Sequence, residues 1–309
     1  MTMVSQQFGR LLEPGLRKIF MDTYKEIPTQ YTEIFNVQNS TKAIETDLRM
    51  GGFGLWEKKD SAGAVQIQDT VDPAALQYIH EEFASGFTVE RKLVDDEQYN
   101  QISKMSKALG RAARATIETK AAEIINNAFT VIGFDGVPLI SATHKRLDGG
   151  TMSNQLLATD GGTLNGALSD VNLKAALIQT RKQVDDKGIK IQVQPKILLV
   201  PPALQYIAET LLHSSNLSAT GNGSGMTNDK NTLAGKLRVV VMDYLTSDTA
   251  WFLIDPAVAE LNFFWRKKLE FDQEKDFSTH QAKFQGYMRF SAGYSDYRGI
   301  LGSKGTNVA

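Results

Sequence analysis

The sequence predicts an α+β fold, and three observations point to it. From Glu97 to about Phe129 there is no proline, and Gly110 is the only glycine. Apolar residues fall there at Tyr99, Ile102, Met105, Leu109, Ala113, Ile117, Ala121, Ile124 and Ala128, which is helical spacing. A helix of that span is about 50 Å long, several times the common length. Second, residues 43 to 70, "AIETDLRMGGFGLWEKKDSAGAVQIQDT", place a strand-like flank on each side of the polar tip "EKKDSAG". Third, strand-like segments succeed one another late in the chain, at 237 to 244, 250 to 254 and 260 to 265, followed by the long "QAKFQGYMRFSAGYSD" and a polar tail.

The remaining elements follow in order. Residues 7 to 26 read as a helix with Leu11, Leu12, Leu16, Ile19, Phe20 and Tyr24 as apolar points, broken or kinked at Pro14–Gly15. "EIPTQYTEIFNVQNSTK" reads as an extended arm. In the hairpin, Gly51, Gly52 and Gly54 surround Phe53, Leu55 and Trp56, few of which have a core to pack on. An ordinary surface hairpin is one reading. The preferred one is a projecting loop whose partner lies on another subunit, because exposed aromatic residues mark contact surfaces. "AALQYIHEEFASGFTVERKLV" (74 to 94) continues as one or two strands, and Asp95 and Asp96 suit the start of the long helix. On that helix Lys104, Lys107, Arg111 and Arg114 form a basic stripe. It is either a solvated face with acidic neighbours, the favoured reading, or a surface turned toward a polyanion. "SDVNLKAALIQTRKQVDDKG" is a helix capped by Ser169 or Asp170 and ended near Gly188. "KILLV" is a short buried strand, and "PPALQYIAETLLHS" a helix opened by proline.

Composition narrows the function classes. A formal net charge of −1 gives no bulk attraction to nucleic acid or anionic membrane. Cysteine is absent, which excludes disulfides, thiolate metal sites and thiol nucleophiles. No apolar run reaches the roughly 18 to 20 residues of a membrane span, and the first residues lack a signal-peptide layout, so a soluble chain, intracellular at synthesis, is expected. "TGNGSGMTN" (220 to 228) resembles a phosphate loop only superficially. It follows a helix and precedes a strand, the reverse of the order a phosphate site needs, and neither GK[ST] nor GxGxxG spacing is present. It reads as a mobile polar loop. His80, His144, His213 and His280 are scattered without metal-ligand spacing, "HKRLDGG" reads as turn material, and no GxSxG elbow exists. No catalytic, cofactor or metal residue is expected, and the chain is not read as an enzyme.

Several blocks, taken in order, resemble the major capsid proteins of tailed phages, and in particular the Mu-like major head subunit group. "LLEPGLRKIFMDTYKEIPTQYTEIF" resembles the amino-terminal arm and "GGFGLWEKKDSAG" the extended loop. "EEFASGFTVERKLVDDEQY" resembles the strand feeding the spine helix, and "KALGRAARATIETKAAEIINNAF" that helix. "HKRLDGGTMSNQ", "VDDKGIKIQVQPKILLVPPALQYIAETLL", "WFLIDP…LNFFWRKKLEFDQEKDF" and "RFSAGYSDYRGILGS" resemble the later segments. The resemblance implies the Hong Kong 97-type capsid fold: arm 1–42, extended loop 43–75, peripheral domain 76–168 with its spine helix near 97–129, axial domain 169–258, and return strands with a tail at 259–309.

It further implies a shell subunit that self-assembles through pentamers and hexamers into an icosahedral head around double-stranded DNA. A cargo-storing encapsulin shell is the alternative, and an enzyme is less favoured. Portal, scaffolding and decoration proteins are the implied partners, DNA is held non-specifically, and no membrane is involved. The expected location is the virion, after assembly in the host bacterial cytoplasm. Scaffolding is expected to be a separate protein or a segment removed ahead of this sequence. Within that frame Phe53, Leu55 and Trp56 are the expected apolar anchors of the loop, and Lys58 and Lys59 its charge pairs. Tyr31, Phe35, Asp296 and Arg298 are expected at inter-subunit or inter-domain contacts. Lys104, Lys107, Arg111 and Arg114 are the DNA-facing candidates.

Overall fold

The computed structural model describes residues 5–49, 52–56, 58–59, 67, 74–90, 92–93, 99–146, 148–158, 162, 164–214, 230–276 and 281–306. The glycine-rich stretch 220 to 228, Asp95, Asp96 and part of the hairpin tip lie outside them. None of the described helices is long and apolar enough to cross a membrane.

Helix α1 spans Ser5–Glu26 and runs through Pro14 without a break. The expected break is therefore corrected. Pro14 and Gly15 are exposed, while Leu16 and Phe20 are buried against the long helix, and that packing outweighs one lost backbone bond. After a 3-10 turn at Tyr31–Glu33, strand β1 (Asn36–Asn39) enters a sheet. Strands β2 (Ile44–Arg49) and β3 (Ala74–Ile79) pair antiparallel, Ile44 opposite Ile79 and Arg49 opposite Ala74. The hairpin thus closes at residue 79, beyond the expected boundary at 75. Strand β4 (Glu81–Glu90) follows.

Helix α2, Tyr99–Asn126, is the long helix. Its 28 residues make a rod of about 42 Å. It stops short of Phe129: beyond Asn126 the backbone tightens, with the Ala128 N–H donating to the Ile125 carbonyl three residues back at 3.1 Å. The Asn126 side chain donates to the Tyr244 carbonyl at 3.0 Å and accepts from the Thr246 N–H at 2.9 Å. Short strands β5 (His144–Lys145) and β6 (Thr151–Met152) pair with one another. Helix α3 covers Asp170–Arg181, its start capped by the Ser169 hydroxyl, which accepts from the Asn172 N–H. It ends before Gly188. That glycine, at φ +79°, instead serves the following turn, where the Asp185 carboxylate accepts from the Lys187 and Ile189 N–H groups.

The C-terminal half builds strand β7 (Ile197–Val200), helix α4 (Gln205–His213), and strands β8 (Arg238–Val241), β9 (Trp251–Ile254), β10 (Leu261–Asp276), β11 (Gln281–Tyr294) and β12 (Ile300–Ser303). Two four-stranded sheets result, ordered β1-β10-β11-β4 and β12-β9-β7-β8. Strand β12 therefore belongs to the second sheet, not to a return element or loose tail. Strand β10 runs eleven residues past the expected end at 265, because Phe271 reaches a second apolar cluster with Phe284, Phe20 and Ile102.

The second sheet is buried on both faces. Ile197, Leu199, Phe252, Ile254 and Ile300 face a core shared with α2 and the first sheet. Leu198, Val200, Trp251, Leu253 and Leu301 face α3 and α4. The strict period of two in "ILLV" and "WFLI" produces this division. The shared core is laced by aromatic contacts, Phe263 on Phe290 at 5.0 Å and Tyr31 on Phe263 at 4.6 Å.

Candidate assembly surfaces

The amino-terminal segment is clamped to its own subunit. Along α2, Ser106, Gly110 and Arg114 recur every four residues and so share one face. The Ser106 hydroxyl donates to the Leu16 carbonyl at 2.9 Å. A Cβ at Gly110 would stand 2.8 Å from the Phe20 carbonyl oxygen, so only glycine admits α1 this closely. Arg114 donates from Nε and Nη2 to the Tyr24 carbonyl at 3.2 and 3.0 Å, with its guanidinium 3.9 Å from the Tyr24 ring centroid. Arg114 is buried and satisfied inside the subunit, which removes it from the expected DNA-facing stripe. Lys104, Lys107 and Arg111 remain exposed.

One turn further along α2, Glu118 accepts from the Gln30 and Tyr31 N–H groups, each at 3.0 Å. Burial pushes its carboxyl above the usual range, against the pull of those two donors and of Arg114. Gln30 also exchanges hydrogen bonds with Asp243, and Arg238 pairs with Glu33. Tyr31 and Phe35 are 5% and 4% exposed and belong to the core shared by the two sheets, so the inter-subunit placement is corrected and their contacts lie within the chain, between its two sheets. Asp296 and Arg298 are likewise internal. Arg298 is fixed by Asp296 and reaches Asp186 at 3.7 Å, tying the chain after β11 to the turn after α3.

The hairpin behaves differently at its two ends. Its base is pinned. The Tyr78 ring lies edge-on to Phe264 at 5.0 Å, and the Tyr78 hydroxyl shares a 2.5 Å hydrogen bond with Ser295. The Ser295 hydroxyl donates in turn to Asp47. The His80 ring bridges the Ser40 and Ser291 hydroxyls at 3.1 and 2.9 Å. A Cβ at Gly293 would meet the Tyr78 ring at 2.7 Å, so the glycine makes room for that ring. Burial pushes the Tyr78 hydroxyl up to about 12. Beyond the base, Gly52 lies against Asp185, and then Phe53, Leu55 and Trp56 stand 57%, 75% and 93% exposed. Lys58 and Lys59 are exposed beside them. Three large apolar side chains on one short segment are each more exposed than covered within the subunit.

Two other exposed apolar sets escaped the sequence reading. Tyr206 and Ile207 project from α4, away from its buried Ala208 and Leu212, and the signal for them is that they fall off that buried stripe. Val131 and Ile132 follow the end of α2. His144, read from sequence as part of turn material without metal-ligand spacing, is fully buried. Its Nδ1 stands 2.5 Å from Asp135, and its ring stacks on Tyr297 at 3.8 Å. Among the described residues no three His, Asp or Glu side chains gather as a metal site.

A profile of the phage capsid protein family matches residues 74–302, most of the chain and every strand of the two four-stranded sheets except β1 and the last residue of β12. The chain belongs to the phage capsid protein family. Among curated proteins, this capsid protein is 25% identical over 169 residues to the Mu-like prophage FluMu major head subunit of Haemophilus influenzae. That match covers 53% of each chain, so it spans about half the length of the relative. Among solved structures, the capsid of bacteriophage JBD30 decorated with minor capsid protein trimers superposes with a TM-score of 0.55 at 17% identity, over 71% of this chain and 92% of that one. Microbacterium phage Oxtober96 gives 0.52 at 10% identity, over 90% and 92%. A virus-like particle from Pyrococcus furiosus gives 0.52 at 10% identity, over 93% and 97%. At these identities the likeness is one of fold: this capsid protein has the mixed helix-and-sheet fold of Hong Kong 97-like capsid subunits.

Proposed function

We propose that this phage head protein builds an icosahedral shell by placing the tip of its extended hairpin on a neighbouring copy. The observation that carries the proposal is the contrast along one ribbon. Tyr78, His80 and Ser295 hold the base at a defined angle, whereas Phe53, Leu55 and Trp56 present apolar surface to water. An exposed apolar cluster on a braced support is suited to intermolecular burial. Each contact is modest, and closure of a symmetric shell couples many of them.

Pentamers and hexamers around double-stranded DNA, with portal, scaffolding and decoration proteins as partners, complete the reading. Within it, residues 76–168 with most of β10 and β11 form the peripheral unit. Residues 169–258 with β12 form the axial one. The family match and the head-subunit relative favour a phage head over a cargo-storing compartment. Negative-stain electron microscopy of the purified, concentrated chain tests the proposal. Rings, tubes or closed shells are the expected result, and particles no larger than one subunit at every concentration would overturn it.

A further inference from the structure

We infer that the cleft between α3 and the turn leading into β8 is a binding site for the phosphodiester backbone of nucleic acid. This inference rests on the shell-subunit reading, which supplies the polyanion. The cleft, of about 690 Å³, has an apolar floor that includes Leu177 and Leu237, and its rim carries Lys174, Arg181, Lys196 and Lys236. No carboxylate is among its described lining residues.

The cations come from three separate parts of the chain: α3, the entry to β7 and the turn at 232 to 237. They converge only in the fold. Lys174 is neutralised by Asp170 at 2.7 Å. Arg181, Lys196 and Lys236 are exposed, and among the described residues they form no ion pair. The acids nearest to Arg181 in sequence, and Asp255 behind the lining residue Gln194, are held by other groups: Asp255 accepts from the Gln194 and Ala257 N–H groups. Asp185 accepts backbone N–H groups in its turn, and Asp186 is buried beside Arg298. Three cations without an ion-pair partner among the described residues, gathered around one concavity, concentrate positive potential there, although the chain as a whole carries a net charge of −1. Such a surface holds phosphates by charge without reading bases. The stripe on α2 is convex and loses Arg114 to the fold, so the cleft is the stronger polyanion surface.

The test is anisotropy of a labelled random-sequence DNA duplex titrated with the purified full-length chain across a sodium chloride series. Loss of one phosphate contact lowers the slope of log affinity against log salt by about one. The variant Arg181→Gln/Lys196→Gln/Lys236→Gln is expected to lower it by about two to three. Lys104→Gln/Lys107→Gln/Arg111→Gln is expected to change it less. Lys196→Arg/Lys236→Arg, which keeps the charge, is expected to preserve the parental slope and so to separate charge from folding. An unchanged slope in the first variant would overturn the inference. So would poly-glutamate displacing the duplex at a lower charge concentration than unlabelled DNA does, since that result assigns the cleft to an acidic polypeptide. Electron microscopy of the same preparations scores shells independently: an unchanged slope with shells present sinks the cleft assignment alone, and missing shells sink the subunit reading.

Discussion

Replacing Trp56 by alanine removes the most exposed of the loop's apolar side chains. A buried tryptophan covers about 200 Å². At about 25 cal/mol per Å² this corresponds to about 5 kcal/mol if a neighbouring subunit covers the ring completely. Ordering the loop on binding offsets part of that, which leaves about 2 to 3 kcal/mol, in the range of an interface anchor. Each 1.4 kcal/mol is a factor of ten in an association constant. The subunit concentration at which shells first form is therefore expected to rise by about 30- to 150-fold, read by light scattering over a dilution series. The unassembled subunit should keep its denaturation midpoint, because a 93% exposed ring contributes little to its own fold. A threshold within threefold of the parent's would refute the anchoring argument. So would a lowered midpoint, which would place Trp56 inside the subunit's own packing.

The hairpin base and the clamp on the amino-terminal segment yield further predictions. Gly293→Ala drives a methyl group to 2.7 Å from the Tyr78 ring and should destabilise the subunit by about 1 to 3 kcal/mol, measured by chemical denaturation. A neutral result would mean that the ring is free to move. Glu118→Ala strands two backbone donors at Gln30 and Tyr31 and should cost about 2 to 5 kcal/mol, seen as a lower denaturation midpoint at constant slope. A loss under about 0.5 kcal/mol would contradict the clamp. Tyr78 ionises near pH 10 in the unfolded chain but near pH 12 in the fold, so its contribution is full below pH 10 and is lost as pH rises toward 12. Tyr78→Phe should flatten that decline in a pH series of denaturation curves. Tyr294, also pushed up to about 12 by burial, contributes to the part that remains, as do Tyr24 and Tyr31, whose hydroxyls burial pushes up as well.

What was legible in the sequence was what repeats. The long helix, the doubly buried "ILLV" and the glycine-broken hairpin each carry a local pattern, and each is present with shifted ends. Spacing alone did not reveal where a cation goes. Arg114 lies on the same stripe as Lys107 and Arg111, and its partner, the Tyr24 carbonyl, is 90 residues away. Tyr31 and Phe35 read as arm residues because the carboxylate that folds them inward belongs to Glu118, far along the chain. Strand β10 was cut short because irregular register between Trp265 and Glu270 breaks the alternation just where "RKKLE" becomes charged. Strand β12 is four residues long, and only its pairing with β9 makes it a strand. The exposed tip at Phe53, Leu55 and Trp56 was legible because it departs from the rule that apolar side chains find cover.

The most direct test of the account is hydroxyl-radical footprinting of residues 53 to 56 in the dissociated subunit and in assembled particles, with mass-spectrometric readout at Trp56. Burial of the loop tip on a neighbouring copy predicts that Trp56 is modified at least tenfold more slowly in the particle. Equal modification rates in the two states would contradict it.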